Sequence, residues 1–416
     1  MNTMLLGDLV QDQRDAFLAR SPGVSREVDI AAHLKHGRVV VISGIRRCGK
    51  STLLRQIAER FRKKDFHYLN LDDERLFEFE ISDFDRLMQV FHKRAESRVL
   101  LFDEIQNVPG WERFVRRIHD EGYKVILTGS NARLLSSEQG THLTGRYSRI
   151  NLYPFSLRET LLFHRINPRA LKAKSRPRAL RVFDEYLGHG GFPEYLKFKN
   201  RELLQRTYED ILFRDIIARF KIREGKALQH LAHYLCTNFT GEISYHSLKN
   251  ILHIKSAVSV RNHIAFLEQA YLLFEVFKYD FSLKKQHVSN KKVYVVDTGL
   301  RNAVSFQFSR DAGKALENCV FVELLRRGEN VYFFRDRGEC DFVTVSGRKA
   351  VSAIQVCFEL HEGNRKREIG GLQEALETLR ISNGLLLTYD QYEEIALESG
   401  AAIRVMPVWR WLLGAS

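Results

Sequence analysis

Residues Val39 to Thr52 read VVVISGIRRCGKST. Gly44, four intervening residues and then Gly49-Lys50-Ser51 satisfy the pattern G-x-x-x-x-G-K-[ST]. In that pattern the glycines let successive backbone N–H groups curl around phosphates at a helix N-terminus. The expected nucleotide-binding loop is therefore Gly44, Ile45, Arg46, Arg47, Cys48, Gly49, Lys50, Ser51 and Thr52. Lys50 is expected at the β- and γ-phosphates, and the Ser51 hydroxyl on Mg²⁺. A second stretch, Val99-Leu100-Leu101-Phe102-Asp103-Glu104, ends four apolar residues with two carboxylates. Asp103 would complete the Mg²⁺ shell, and Glu104 would orient and deprotonate an attacking water. A third, Lys124 to Thr128, ends in Gly129-Ser130-Asn131. There Ser130 or Asn131 either senses the γ-phosphate or caps the following helix. The chemistry implied is hydrolysis of ATP.

These groups need a rigid frame. The apolar runs before each of them read as buried parallel strands, whose C-terminal ends share one ligand-binding edge. Leu53, Leu54, Ile57 and Phe61 recur at helical spacing after the loop, and Trp111, Phe114, Val115 and Ile118 stripe another helix. Residues 1–37 read as a helical lead-in without chemistry, and Asp72-Asp73-Glu74 as caps for the next helical stretch rather than magnesium ligands. At 416 residues, 44% hydrophobic and 28% charged, the chain has room for two to four globular domains. No apolar run is long enough to span a membrane, no secretory leader is recognisable, and five scattered cysteines without a C-x-x-C pair suit a reduced, cytoplasmic protein. The net charge of +14 makes DNA the expected partner, the alternative being dispersed solvated charge.

GIRRCGKSTLL, LLFDEIQNVPGWERFVR, ILTGSNARLL and LTGRYSRINLYPFSLRE, in this order and spacing, resemble a family of prokaryotic AAA+ ATPases. That family typically carries a C-terminal domain of unassigned function with a nuclease-like core, and the likeness runs across nearly the whole chain. It implies ATP binding and hydrolysis on an AAA+ module. It also implies a candidate arginine finger at Arg146, in Thr144-Gly145-Arg146. Either Arg146 stabilises charge on a neighbouring subunit's γ-phosphate, which requires a homo-oligomer, or it forms a structural salt bridge.

The expected fold is α/β, with four parts: an AAA+ P-loop ATPase domain (1–155), a helical lid and linker (156–225), a winged helix-turn-helix (226–305) and a restriction-endonuclease-like α/β domain (306–416). The linker holds a basic run, Lys172, Lys174, Arg176 and Arg178, and Gly190 to Tyr195 resembles the same family's pattern. In the third part Val260, Ile264 and Leu267 would be buried, leaving Ser259, Arg261, Asn262 and His263 for DNA contact. In the last, a helix acid (Glu317), a strand acid (Asp341) and Gln355 follow the layout of the PD-(D/E)xK nuclease core. Cys357 stands where its lysine belongs, so the site is degenerate unless a lysine such as Lys349 moves in. The resulting reading is a Mg²⁺-dependent ATPase whose nucleotide state governs DNA binding or remodelling. The alternatives are a nucleotide-gated protein-interaction switch or defence-type regulator, and, less favoured, an ATP-coupled nuclease.

Overall fold

The computed structural model describes residues 3–35, 37–61, 66–130, 145–171, 174–305 and 312–414; Asn131, Thr144 and Lys172 lie outside them. The chain divides into two compact units, residues 1–153 and 154–416. In the first, β1 (Val39–Gly44), β2 (His67–Asn70), β3 (Val99–Asp103), β4 (Lys124–Gly129) and β5 (Tyr147–Leu152) form one sheet in the order β2-β3-β4-β1-β5. Every pairing is parallel. The apolar runs Val39–Ile42, Leu100–Phe102 and Val125–Leu127 are fully buried, as strands covered on both faces must be. From β1 the chain goes out to β2, returns through β3 and β4, then crosses β1 to reach β5. That reversal leaves the C-terminal ends of β1, β3 and β4 around a common crevice.

The lead-in has a structural task. Helix Thr3–Ala19 buries Leu6, Leu9, Val10 and Phe17, and Phe17 stacks on Tyr68 of β2 at 3.9 Å between ring centroids. Gln13 serves the unpaired edge of β2 as a neighbouring strand would. Its Nε2 donates to the Asn70 carbonyl at 3.1 Å, and its Oε1 accepts from the Asn70 N–H at 2.7 Å. The same Nε2 donates to Asp73 at 2.9 Å. Asp73 also caps the turn Glu74–Leu76, and its hydrogen bonds from Arg75 lead in holding its pKa down to about 2. Of the three acids Asp73 caps, as expected, while Asp72 accepts from the Asn107 side chain at 3.0 Å and Glu74 opens the turn itself.

The second unit opens with helices Leu157–Phe163, Arg176–His189, Pro193–Phe198 and Arg201–Asp210, the last continuing as a π-helical stretch Ile211–Ala218. Then follow helix Gly225–Thr237, β6 (Glu242–Ile243), helices Tyr245–Ile251 and Ala257–Gln269, β7 (Leu273–Phe277), a short helix Leu283–Val288 and β8 (Lys291–Val295). These strands form an antiparallel sheet in the order β6-β8-β7. After helix Ala312–Arg326 come β9 (Asn330–Arg335), β10 (Glu339–Ser346), β11 (Lys349–Val356), β12 (Asn383–Thr388), β13 (Glu393–Ala396) and β14 (Ala402–Pro407). They are ordered β13-β14-β12-β11-β10-β9, antiparallel at both ends and parallel across β11, β12 and β14. Strand parity sorts the core. Phe342, Ile354 and Leu387 face one side with Phe321, Trp409 and Trp411, while Val343, Ala353 and Leu386 face the other with Leu372 and Leu376. Leu157, Phe183 and Leu187 join the first of these cores. The helices read as lid and linker thus bury their apolar faces against residues over a hundred positions downstream.

Gln13→Ala would strand the Asn70 N–H and carbonyl at the buried edge of β2. We expect it to lower stability by about 1–3 kcal/mol, read as a shift of the denaturant midpoint; an unmoved midpoint would contradict the edge role.

Candidate active site

The phosphate-loop sequence turns sharply where β1 ends. A Cβ on Gly44 would fall 2.1 Å from the Leu152 carbonyl oxygen, so only glycine allows the loop to pass β5 this closely. Gly49, at φ 100°, adopts a left-handed conformation and caps helix Lys50–Ala58. The first N–H groups of that helix lack intrahelical acceptors and carry the positive end of its dipole, which suits an anion. Ile45 and Cys48 turn their side chains into the core, and the Cys48 thiol donates to the Leu152 carbonyl at 3.3 Å. Burial raises that thiol's pKa. These two residues can therefore meet a phosphate only through the backbone. Arg46, Ser51 and Thr52 are half-buried, and Arg47 is exposed.

Lys50 is 5% exposed. Its Nζ donates to the carbonyls of Gly44 and Ile45 at 3.3 and 3.2 Å and lies 3.6 Å from Glu104 Oε1. Asp103, 2% exposed, ends β3 beside Thr128 of β4. The Thr128 hydroxyl donates to Asp103 Oδ1, Tyr68 donates to Oδ2 at 3.4 Å, and the Ser51 side chain hydrogen-bonds the same carboxylate. Burial, then the charge of Glu104, raises the Asp103 pKa; the bonds from Ser51 and Thr128 and the charge of Lys50 oppose that rise. Glu104 follows in a left-handed conformation, φ 52°, fixed by its N–H donating to Thr128 Oγ1 at 3.0 Å. This turn returns the Glu104 carboxylate toward Lys50, where Gln106 Nε2 also donates to it.

A buried carboxylate bonded to a serine hydroxyl is a hard-oxygen pair of the kind Mg²⁺ accepts, and a dication would offset the cost of burying it. Ser43 and Ser130, on the flanking strand ends, have buried hydroxyls with no hydrogen-bond partner among the described residues. Two site residues escape a reading of the sequence. Thr128 gives no signal beyond its place in a strand. Arg26 stands alone in a segment without periodicity, yet it is buried. Its guanidinium donates to the carbonyls of Cys48 at 2.9 Å and Tyr153 at 2.6 Å, bracing the loop from behind.

Comparison with known proteins agrees with this geometry. Residues 36–161 match the family described as "AAA domain", and residues 180–311 match "Domain of unknown function (DUF8612)". An uncharacterized protein of Methanocaldococcus jannaschii, MJ1544, is 34% identical over 404 residues, covering 92% of this chain and 90% of that protein. The chain belongs to its family, and carries an AAA domain. An uncharacterized protein of Haemophilus influenzae is 30% identical over 90% of this chain and 94% of its own length. Among solved structures, a replication initiator DnaA bound to AMPPCP and single-stranded DNA aligns with 57% of this chain and 86% of that one, at 16% identity and a TM-score of 0.28. So low a score decides nothing about this chain.

Other expected site residues fare differently. Arg146 sits at the far edge of the AAA sheet from the phosphate loop, where its carbonyl accepts from the N–H of Val39, the first residue of β1. Its guanidinium donates to both Asp120 oxygens at 2.7 and 2.8 Å, so it cannot act on the phosphates of its own loop. His263 is a correction. It completes an i, i+3, i+4, i+7 set with Val260, Ile264 and Leu267 and is buried with them, and burial lowers its pKa. Arg261 and Asn262 are exposed and Ser259 is half-buried. Glu317, Asp341 and Gln355 do converge, but Gln355 is not available as a metal ligand. Its Oε1 accepts from the Asp341 N–H at 3.1 Å, and its Nε2 donates to Glu368 at 2.7 Å. Cys357 is buried, with a pKa pushed up to about 12 by burial, and Lys349 is exposed rather than drawn in. Among the described residues no three Asp, Glu, His or Cys side chains are placed to hold a metal ion.

Arg26→Ala should loosen the phosphate loop without touching any ligand. We expect the Kd for ATP to rise about tenfold, ~1.4 kcal/mol, in a fluorescent-nucleotide titration; an unchanged Kd would show that the loop holds its shape unaided.

Proposed function

We propose that this protein is a Mg²⁺-dependent ATP hydrolase whose nucleotide state controls its grip on DNA. The observation that carries the proposal is the convergence of Lys50, Ser51, Asp103, Glu104 and Thr128 on one edge of the AAA sheet. Ser51 and Asp103 would hold Mg²⁺, which would supply positive charge to offset that of the phosphates. Lys50 is paired with Glu104 at 3.6 Å, and a γ-phosphate would compete for that ammonium. Binding of ATP would thereby loosen the hold of Lys50 on the Glu104 carboxylate, the group proposed to take a proton from water, while Gln106 keeps it oriented. Ser130, whose buried hydroxyl has no hydrogen-bond partner among the described residues, is the better-supported contact for the γ-phosphate; Asn131 keeps the same role as an expectation. Arg146, turned away from its own loop, is proposed to serve a neighbouring subunit in a homo-oligomer after releasing Asp120.

The order helix, strand, helix, helix and hairpin over residues 225–295 supports reading that region as a winged helix. Arg261 and Asn262 are then the residues free to meet DNA, with Ser259 at the edge of that face. A protein partner is the second reading, favoured by Ile251, Val258, Phe281, Leu283 and Val288, which are all exposed in the same region. The PD-(D/E)xK-like region is proposed to bind or dock rather than cleave, since its glutamine is committed and the lysine position is a buried cysteine.

ATP hydrolysis with and without duplex and single-stranded DNA, at two salt concentrations, tests this function. We expect turnover to rise with DNA and the rise to fade with salt, because phosphate contacts release counterions. Glu104→Gln should retain ATP and lose at least about 100-fold in turnover. Turnover indifferent to DNA would favour the protein partner, and an active Glu104→Gln would move the base elsewhere.

A further inference from the structure

Lys292 lies on β8, in the hairpin read from sequence as a wing, yet it is 3% exposed. Its ammonium reaches Glu317 Oε1 at 3.2 Å, Glu339 Oε1 at 2.5 Å and Asp341 Oδ1 at 2.8 Å. Two of its N–H groups donate to Glu317 and Asp341, and the Glu339 carboxylate stands beside them as a third ion-pair partner. The remaining groups are also committed. Asp341 Oδ2 accepts from the Val356 N–H at 3.0 Å, Tyr294 donates to Glu317 Oε1 at 2.7 Å, and Gln355 is tied to Asp341 and Glu368. Burial on its own would lower the Lys292 pKa, but Asp341, with Tyr294, Glu317 and Glu339, outweighs it and holds the ammonium charged. Burial and the neighbouring Asp341 raise the Glu317 pKa, and the charge of Lys292 with the hydrogen bonds from Tyr294 and Lys292 opposes that rise.

The spacing is that of an ammonium. Mg²⁺ takes oxygens at about 2.0–2.1 Å, whereas these oxygens stand 2.5–3.2 Å from the nitrogen at their centre. A dication cannot share the same three oxygens with a resident cation. The nest also spans two sheets. Beside Lys292, the Asn318 side chain accepts from the Val295 N–H at 2.9 Å and donates to the Val295 carbonyl at 2.8 Å. Two residues beyond β7, the Tyr279 N–H donates to the Phe333 carbonyl of β9 at 2.7 Å.

We propose that Lys292 is the built-in cation of this nest, occupying the place a divalent ion would need and clamping the β7–β8 hairpin to the six-stranded sheet so that the two move as one body. The region then has no phosphodiester chemistry of its own, and any nucleotide-driven motion carries residues 225–414 together. The proposal rests on Tyr279 and on the nest around Lys292, and stands whether or not the ATPase reading does.

Thermal unfolding of the full chain, read by hydrogen exchange at β8 and β10, tests it with Lys292→Met, Asp341→Asn and the double variant. Lys292→Met should lower the midpoint of this unit by roughly 5 °C or more and speed exchange in both strands together. The double variant should lose less than the two single losses combined, because the charges are coupled. Should Lys292→Met fail to fold, Lys292→Arg with Asp341→Asn provides the same comparison. Nucleotide-free wild type should be indifferent to millimolar Mg²⁺ or Mn²⁺ at matched ionic strength and should not nick plasmid DNA. A Lys292→Met protein as stable as wild type overturns the clamp. Metal-dependent nicking by wild type that Lys292→Met abolishes would instead make Lys292 a catalytic lysine beside a metal.

Discussion

A carboxylate buried at the end of a strand is costly unless its oxygens are held, and Asp103 is such a carboxylate. Thr128 holds one oxygen, Tyr68 the other, and Ser51 reaches in from the phosphate loop. Four segments distant in sequence must be in register for this to happen. The parallel pairing of β2 with β3, of β3 with β4 and of β4 with β1 supplies that register. Thr128 does double duty, since the same oxygen that donates to Asp103 accepts the Glu104 N–H and fixes its left-handed turn. The fold and the site thus meet in one hydroxyl.

The phosphate loop was readable because its chemistry is local: the curl, the lysine and the hydroxyl all come from neighbouring residues. Asp103-Glu104 was readable because two acids after four apolar residues mark a strand end. Arg26 was not, as its partners lie 22 and 127 residues away and its own segment has no period. Lys292 was hidden for the same reason. Its carboxylates come from a helix and a strand 25 to 49 residues further on. His263 is different, because the helical stripe already contained it. Polarity alone argued for the outer face, whereas the spacing from Val260, Ile264 and Leu267 placed it inward.

The second unit shows how far a continuous core can override divisions read from composition. The helices after Tyr153 hold a basic run and a Gly-Gly-Phe-Pro turn, which suggest a linker. Their apolar faces nevertheless pack with Phe321, Phe342 and the C-terminal tryptophans. Asp297 strengthens the join: buried, it accepts from the Gly191 N–H at 2.7 Å and caps helix Thr298–Val304 through the Leu300 N–H at 2.9 Å. Burial pushes its pKa up to about 6, against the pull of those N–H groups.

The central claim is that Asp103 is the group through which a divalent cation and the nucleotide are joined. Its most direct measurement is the binding of Mn²⁺ to the ATP-loaded protein, followed by electron paramagnetic resonance in wild type and Asp103→Asn. The account predicts a bound Mn²⁺ in wild type whose affinity falls by about tenfold or more in the variant, a loss of ~1.4 kcal/mol or more, with ATP still held by the loop. Equal Mn²⁺ affinity in the two proteins would contradict it.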